Sequence, residues 1–145
     1  MASVYDLKPR FQSLLRPLVG RLAALGVTAN QVTIGAAVLS LACGGAIIAS
    51  GGAALALLAL PVVLLVRMGL NAVDGMLARE HGQQSRLGFF LNEIGDVVSD
   101  TALYLPLALV LAPALPLLAG AMVTVFALTE FAGRARARGR RRAAV

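Results

Sequence analysis

Two short segments of a mostly apolar chain carry residues able to hold a cation or move a proton. The first reads Arg67-Met-Gly-Leu-Asn71-Ala-Val-Asp74-Gly75-Met-Leu-Ala78-Arg79, and the second Arg86-Leu-Gly88-Phe-Phe-Leu-Asn92-Glu93-Ile-Gly95-Asp96-Val-Val-Ser99-Asp100. Residues three or four apart share a helix face, so Asn71, Asp74 and Ala78 form one stripe and Gly88, Asn92, Asp96 and Asp100 another. In an antiparallel helical hairpin turning near Gln83, residues whose numbers sum to about 166 lie at equal depth. Asp74 then faces Asn92, Asn71 faces Asp96, and Arg67 faces Asp100. The first four side chains converge as oxygen donors at two adjacent levels, a set suited to a hard cation such as Mg²⁺. Gly75, Ala78 and Gly88 keep the space beside them open to a phosphate-bearing group. Small and polar residues also glue transmembrane helices together, but that explanation accounts less well for four oxygen-bearing residues at these spacings, flanked by Gly75, Gly88 and Arg79.

The elements that position these residues follow from hydropathy. The chain has 145 residues, of which 59% are hydrophobic. Only 14% are charged, against roughly 25% in an average soluble domain. This excludes disorder and argues against a soluble domain. The single cysteine, Cys43, excludes an internal disulfide or a thiolate metal cluster. No charge occurs from Leu22 to Val66, and Ser50-Gly51-Gly52 divides that stretch into two helices. A second uncharged stretch, Thr101 to Thr129, is broken by Pro113 and Pro116. It is too short for two spans, so its helices must extend into the flanking polar residues. Spans of about 20 residues are expected at 30–49, 53–79, 87–112 and 116–134. Leu7, Phe11, Leu14, Leu15, Leu18 and Leu22 alternate with Lys8, Arg10, Arg16 and Arg21, the pattern of an interfacial amphipathic helix. Pro9 and Pro17 are expected to kink or divide it. It reads equally as a topology anchor and as a wall of a lipid-substrate site. The expected fold is an all-α integral membrane bundle of about four transmembrane helices preceded by this helix. Residues 1–134 form the membrane domain and 135–145 a basic tail.

Lysine and arginine in short flanking segments favour the cytoplasmic side. Lys8, Arg10, Arg16, Arg21, Arg79, Arg86 and the arginine tail fall on one side of a four-span chain, and the opposite turns hold no charge. Both termini and the polar cluster are therefore expected in the cytoplasm, and no cleavable signal peptide is apparent.

The run Asp74-Gly75-x-x-Ala78-Arg79, then Gly88, Asn92 and Asp96, resembles the motif of the CDP-alcohol phosphotransferase (CDP-alcohol phosphatidyltransferase) family of integral membrane enzymes. That pattern is D-x-x-D-G-x-x-A-R, about eight residues, then G-x-x-x-D-x-x-x-D, and the spacing matches throughout. Thr28-Ala29-Asn30-Gln31-Val32-Thr33 is similar to the Thr-Pro-Asn-x-x-Thr opening common in the family. The resemblance implies that Asn71, Asp74, Asn92 and Asp96 occupy the four acid positions, which hold metal on the pyrophosphate of a CDP-linked lipid. Asp96 would be the general base, and Gly75, Ala78, Arg79 and Gly88 would lie along the nucleotide. It further implies Mg²⁺ or Mn²⁺ as cofactor, a place in phospholipid biosynthesis, a bacterial inner membrane and a tendency to homodimers. The reaction would be attack by an alcohol hydroxyl on the lipid-side phosphorus, with CMP leaving.

There are two departures. Asn at 71 and 92 removes two negative charges and lowers affinity for a second dication, although each carboxamide still offers a carbonyl oxygen. Four spans stand where the family has six, so the last two family helices are expected to be missing after Gly133. Two other functions compete with a transferase. One is a degenerate or truncated homologue that binds metal or nucleotide without turnover. The other is a small transport or assembly subunit, which would need a polar stripe reaching the outer face. Arg67 and Asp100 lie outside the motif and are expected to pair, an intramembrane charge being costly alone; the competing reading sends Asp100 to the metal and Arg67 to a lipid phosphate. Glu93 is turned about 100° from Asn92, toward a headgroup, Arg86 or the metal. Glu130 is expected to be solvated or arginine-paired, and His81 has no assigned role. The tail, Arg134 to Arg142, reads as an anionic-lipid contact; no nucleic acid is expected as a partner.

Overall fold

A computed structural model describes residues 4–111 and 120–121. Its main elements are α1 (Val4–Ala24), α2 (Ala29–Ala49), α3 (Ala54–Glu80) and α4 (Arg86–Leu111), and the described residues contain no strand. The first three expected spans are thus found to within a residue at each end. The fourth span, Glu130 and the arginine tail lie outside the described residues.

Each of the first two helices ends where a glycine takes the left-handed conformation. At the end of α1, Gly26 (φ 77°) lets its N–H reach the Ala23 carbonyl while Val27 N–H reaches that of Leu22. Gly51 (φ 59°) repeats the arrangement on Ile48 and Ile47, with Gly52 as the second donor. These are Schellman closures, so the Ser50-Gly51-Gly52 signal marks a true helix end. Of the two expectations for α1, a kink or a division, the division is not met: Val4–Ala24 is a single α-helix containing both Pro9 and Pro17. Pro17 lies on the exposed side, where the Ser13 carbonyl that loses its donor can turn to water, so the cost of a mid-helix proline is softened.

α2 and α3 are long and apolar enough to cross a membrane. Only 11% of the apolar window of α3 is buried within the protein, which a core helix of a soluble protein would not show. Leu55, Leu58, Val62 and Leu65 are exposed, Leu55 by 82%; such a face needs lipid. The fold is an all-helical membrane bundle.

The helices contribute to two compact units whose boundaries fall within them. The first unit takes α1, the start of α2 to Leu39, α3 from Pro61, and α4 to Asp96. Its core joins Val19 of α1, Ala29 and Val32 of α2, and Val73, Met76 and Leu77 of α3. Leu15 and Leu22, on the same α1 stripe as Val19, pack against it, while Arg10, Arg16 and Arg21 are exposed. The Arg16 guanidinium grips both Glu80 carboxylate oxygens at 3.1 Å, fastening α1 to the end of α3. The second unit contains Ser40–Leu60 and α4 from Val97. In it the absent side chain of Gly44 lets α2 approach α4 against the Ala102 carbonyl and the Pro106 ring, with Ile47 and Leu103 fully buried. Small residues admit such close packing where lipid offers no hydrophobic drive.

Candidate functional site

The first unit contains a cleft of about 420 Å³, within the usual range for small-molecule sites. Three local devices shape its mouth. Thr28 and Gln31 form a capping box: Thr28 N–H donates to Gln31 Oε1 (2.9 Å) and Gln31 N–H to Thr28 Oγ1 (3.3 Å), starting α2. Gln83, in the α3–α4 loop, accepts from Ala29 N–H at 2.7 Å and donates to the Val27 carbonyl at 3.3 Å. Ser85 caps α4 by accepting the Gly88 N–H at 2.9 Å. The loop is thereby tied to the start of α2, and the polar ends of three helices meet around one space.

The walls carry Asn30 and Thr33 from α2, Asn71, Asp74, Gly75, Ala78 and Arg79 from α3, and Gly88, Phe89 and Asn92 from α4. Every residue assigned to the nucleotide, and three of the four at the acid positions, therefore line one cleft. The fourth, Asp96, joins through Asn71: Asn71 Nδ2 donates to Asp96 Oδ1 at 3.1 Å, the contact expected from the hairpin numbering. A carboxylate only accepts, so the Asn71 amide nitrogen must face Asp96, which leaves its carbonyl oxygen directed elsewhere. Arg67 also donates to Asp96, at 3.4 Å to the same Oδ1 and 3.2 Å to the backbone oxygen, a partner that hairpin counting does not assign to it. Asp100 lies one turn further along α4, in the second unit.

Asp74 is buried, 5% exposed, and its Oδ2 accepts the Thr33 hydroxyl at 2.7 Å. That hydroxyl also lies 3.1 Å from the Ala29 carbonyl, but it has one proton, and the closer, charged acceptor takes it. Motif reading places Thr33 at the close of the Thr28–Thr33 opening of α2 but assigns it no role; the bond to Asp74 supplies one.

The glycines match the need for space. A Cβ on Gly75 would stand 3.3 Å from the Arg79 guanidinium, which lies across it. A Cβ on Gly88 would stand 2.7 Å from Asn30 Oδ1 and 3.0 Å from Ser85 Oγ. Gly95 meets the Thr33 methyl in the same way, at 3.3 Å, so α2 and α4 approach closely beside Asp74. Neither Glu93 nor any described α1 side chain lines the cleft, and His81 is exposed in the loop.

Among the described residues no three His, Cys, Asp or Glu side chains group as a metal centre. The donors present are two carboxylates and two carboxamide oxygens, an all-oxygen set that fits one hard dication with room for phosphate oxygens to complete its shell.

The fold is that of an integral membrane protein, with a cleft of oxygen donors where the ends of three helices meet. Residues 26–138 match the family profile of CDP-alcohol phosphatidyltransferases, and the chain belongs to that family. It is 51% identical over 131 residues to "Inner membrane protein YnbA" of Escherichia coli (strain K12). The match covers 90% of this chain and 64% of that relative, so the chain spans a little under two thirds of the curated relative's length. No solved structure matches the chain.

Proposed function

We propose that the chain is the site-bearing part of a membrane transferase that moves a phosphatidyl-type group from a CDP-activated lipid to an alcohol. The observation that carries this reading is the convergence of Asn71, Asp74, Asn92, Gly75, Arg79 and Gly88 on one cleft, with Asp96 hydrogen-bonded to its wall. In the reaction a bond forms between the acceptor oxygen and the lipid-side phosphorus, and the bond from that phosphorus to the CMP oxygen breaks. Asp96 takes the hydroxyl proton, and Arg79, exposed and lying across Gly75, meets phosphate charge. Asp74, with the carbonyl oxygens of Asn71 and Asn92 on the same cleft wall, would hold Mg²⁺ or Mn²⁺, which when bound neutralises the diphosphate; Asp96 is the fourth of the acid positions. The cleft opens at the end of α3 beside Arg79 and Arg86, and the positive-inside rule puts that end in the cytoplasm of a bacterial inner membrane. A homodimer in the bilayer completes the reading.

The test is purified protein with a CDP-lipid donor, Mg²⁺ or Mn²⁺, and a panel of alcohols scored by CMP release. Cation-dependent CMP release that requires one of the alcohols supports transfer. Nucleotide and metal binding without CMP release from any of them would favour the non-transferring homologue, for which Asn71 and Asn92 speak.

A further inference from the structure

Among the described residues Arg67 is the one basic residue well inside an apolar span, is 9% exposed, and directs its guanidinium at Asp96. Its ion pair is 3.4 Å long, with side-chain exposures of 11% and 16%, so solvent screens it little. Asn71 Nδ2 occupies the same Asp96 oxygen. A carboxylate at position 71, as in the family pattern, would put two anionic oxygens where the Asn71–Asp96 hydrogen bond now runs, and such a pair needs a cation between them. Here that need is met by the protein itself. The amide supplies a hydrogen where the second anion would be, and the guanidinium supplies the positive charge. A dication approaching Asp96 Oδ1 would have to displace the amide and sit beside a fixed positive charge in a poorly hydrated place.

We infer that Arg67, acting with Asn71, is a resident cation that replaces a second divalent ion at Asp96, leaving a single dication to bind at Asp74. Arg67 is then a positioning residue. It holds the Asp96 carboxylate in place without metal, and its charge keeps metal away from that carboxylate. Among the described residues no guanidinium hydrogen-bonds Asp74: its carboxylate accepts the neutral hydroxyl of Thr33, Arg79 acts on it only through space, and Asn71 and Asn92 stand on the same cleft wall with carbonyl oxygens to offer. The inference rests on the transferase reading above, because it presumes that the cleft takes a divalent ion.

The experiment counts Mn²⁺ bound per chain by electron paramagnetic resonance on the full chain in lipid nanodiscs, with CDP present. Wild type and Arg67→Lys, which keeps the charge, are expected to bind one equivalent, with any second weaker by about tenfold or more. Asn71→Asp combined with Arg67→Gln removes the resident cation and restores the acid, and is expected to gain a second equivalent of comparable affinity. Two equally tight equivalents in wild type would overturn the inference while leaving the transferase reading intact, as would a folded double variant that still binds one. No Mn²⁺ bound by wild type would remove the metal-dependent reading itself, and the inference with it. The wild-type count requires no variant to fold.

Discussion

Thr33→Val deletes one hydroxyl and keeps the shape of the side chain, so it isolates the bond to Asp74. Thr33 is 8% exposed and Asp74 5%, and the bond is 2.7 Å long. A hydrogen bond to a charged group contributes about 1.5 to 3 kcal/mol. The valine retains the methyl that packs against α4 at Gly95, so no cavity adds to that figure. Val also removes the competing contact with the Ala29 carbonyl, which stays within its own helix and needs no replacement. The carboxylate that loses its donor is the one assigned to the dication, and loss of an outer-shell partner typically weakens metal binding about 10- to 100-fold. Two measurements follow on the same preparation: Mn²⁺ affinity by titration, and unfolding monitored by circular dichroism in detergent. Thr33→Val is expected to weaken Mn²⁺ by at least about tenfold and to lower stability by up to about 3 kcal/mol. Thr33→Ser, which restores the hydroxyl, is expected to recover most of the affinity. Unchanged Mn²⁺ affinity in Thr33→Val, with the protein folded, would show that Asp74 does not hold the cation or that Thr33 does not orient it.

Gly88→Ala puts a methyl 2.7 Å from Asn30 Oδ1 and 3.0 Å from Ser85 Oγ, so it should displace the Asn30 side chain, disturb a cap whose loss costs about 1 kcal/mol, and weaken CDP binding seen by calorimetry. Gly35→Ala, with nothing within 4 Å, is the control and should leave CDP affinity unchanged. In the second unit, Gly44→Ala drives a methyl into the Ala102 carbonyl and should lower the unfolding temperature, by overpacking of about 1 to 3 kcal/mol, whereas its neighbour Gly45→Ala meets nothing within 4 Å and should not. Asp96→Asn should abolish CMP release while calorimetry still detects CDP, because the residue hangs on the cleft wall through Asn71; normal turnover would assign the base to another group. Arg16→Ala breaks a bidentate but exposed pair with Glu80, so the thermal midpoint should shift little, and less still in high salt.

Helical periodicity and hydropathy are local, and what depends on them is legible in the sequence. The end of α2 follows from the Ser50-Gly51-Gly52 turn, the end of α3 and start of α4 from spans that must extend past the uncharged runs into polar residues, and the Asn71–Asp96 contact from counting back from the loop between α3 and α4, since one rigid hairpin fixes depth by residue number. The fold class comes from hydropathy and the stripes of Asn71 with Asp74 and of Asn92 with Asp96 from periodicity, whereas the assignment of Gly75, Ala78, Arg79 and Gly88 to a nucleotide comes from the family resemblance. That α1 stays one helix, a choice between kink and division that Pro9 and Pro17 leave open, is settled only by the fold, because whether a proline divides a helix depends on what can satisfy the carbonyl it abandons. Three contacts needed the tertiary structure. Thr33 meets Asp74 across 41 residues of sequence, through a contact between α2 and the hairpin that no spacing rule sets. Gln83 closes the α3–α4 loop onto the start of α2, although its composition reads only as polar loop. Arg67 reaches Asp96 because a long, flexible side chain is free to choose among levels of the facing helix, and that choice is set by where the acceptor oxygens point once the helices have packed.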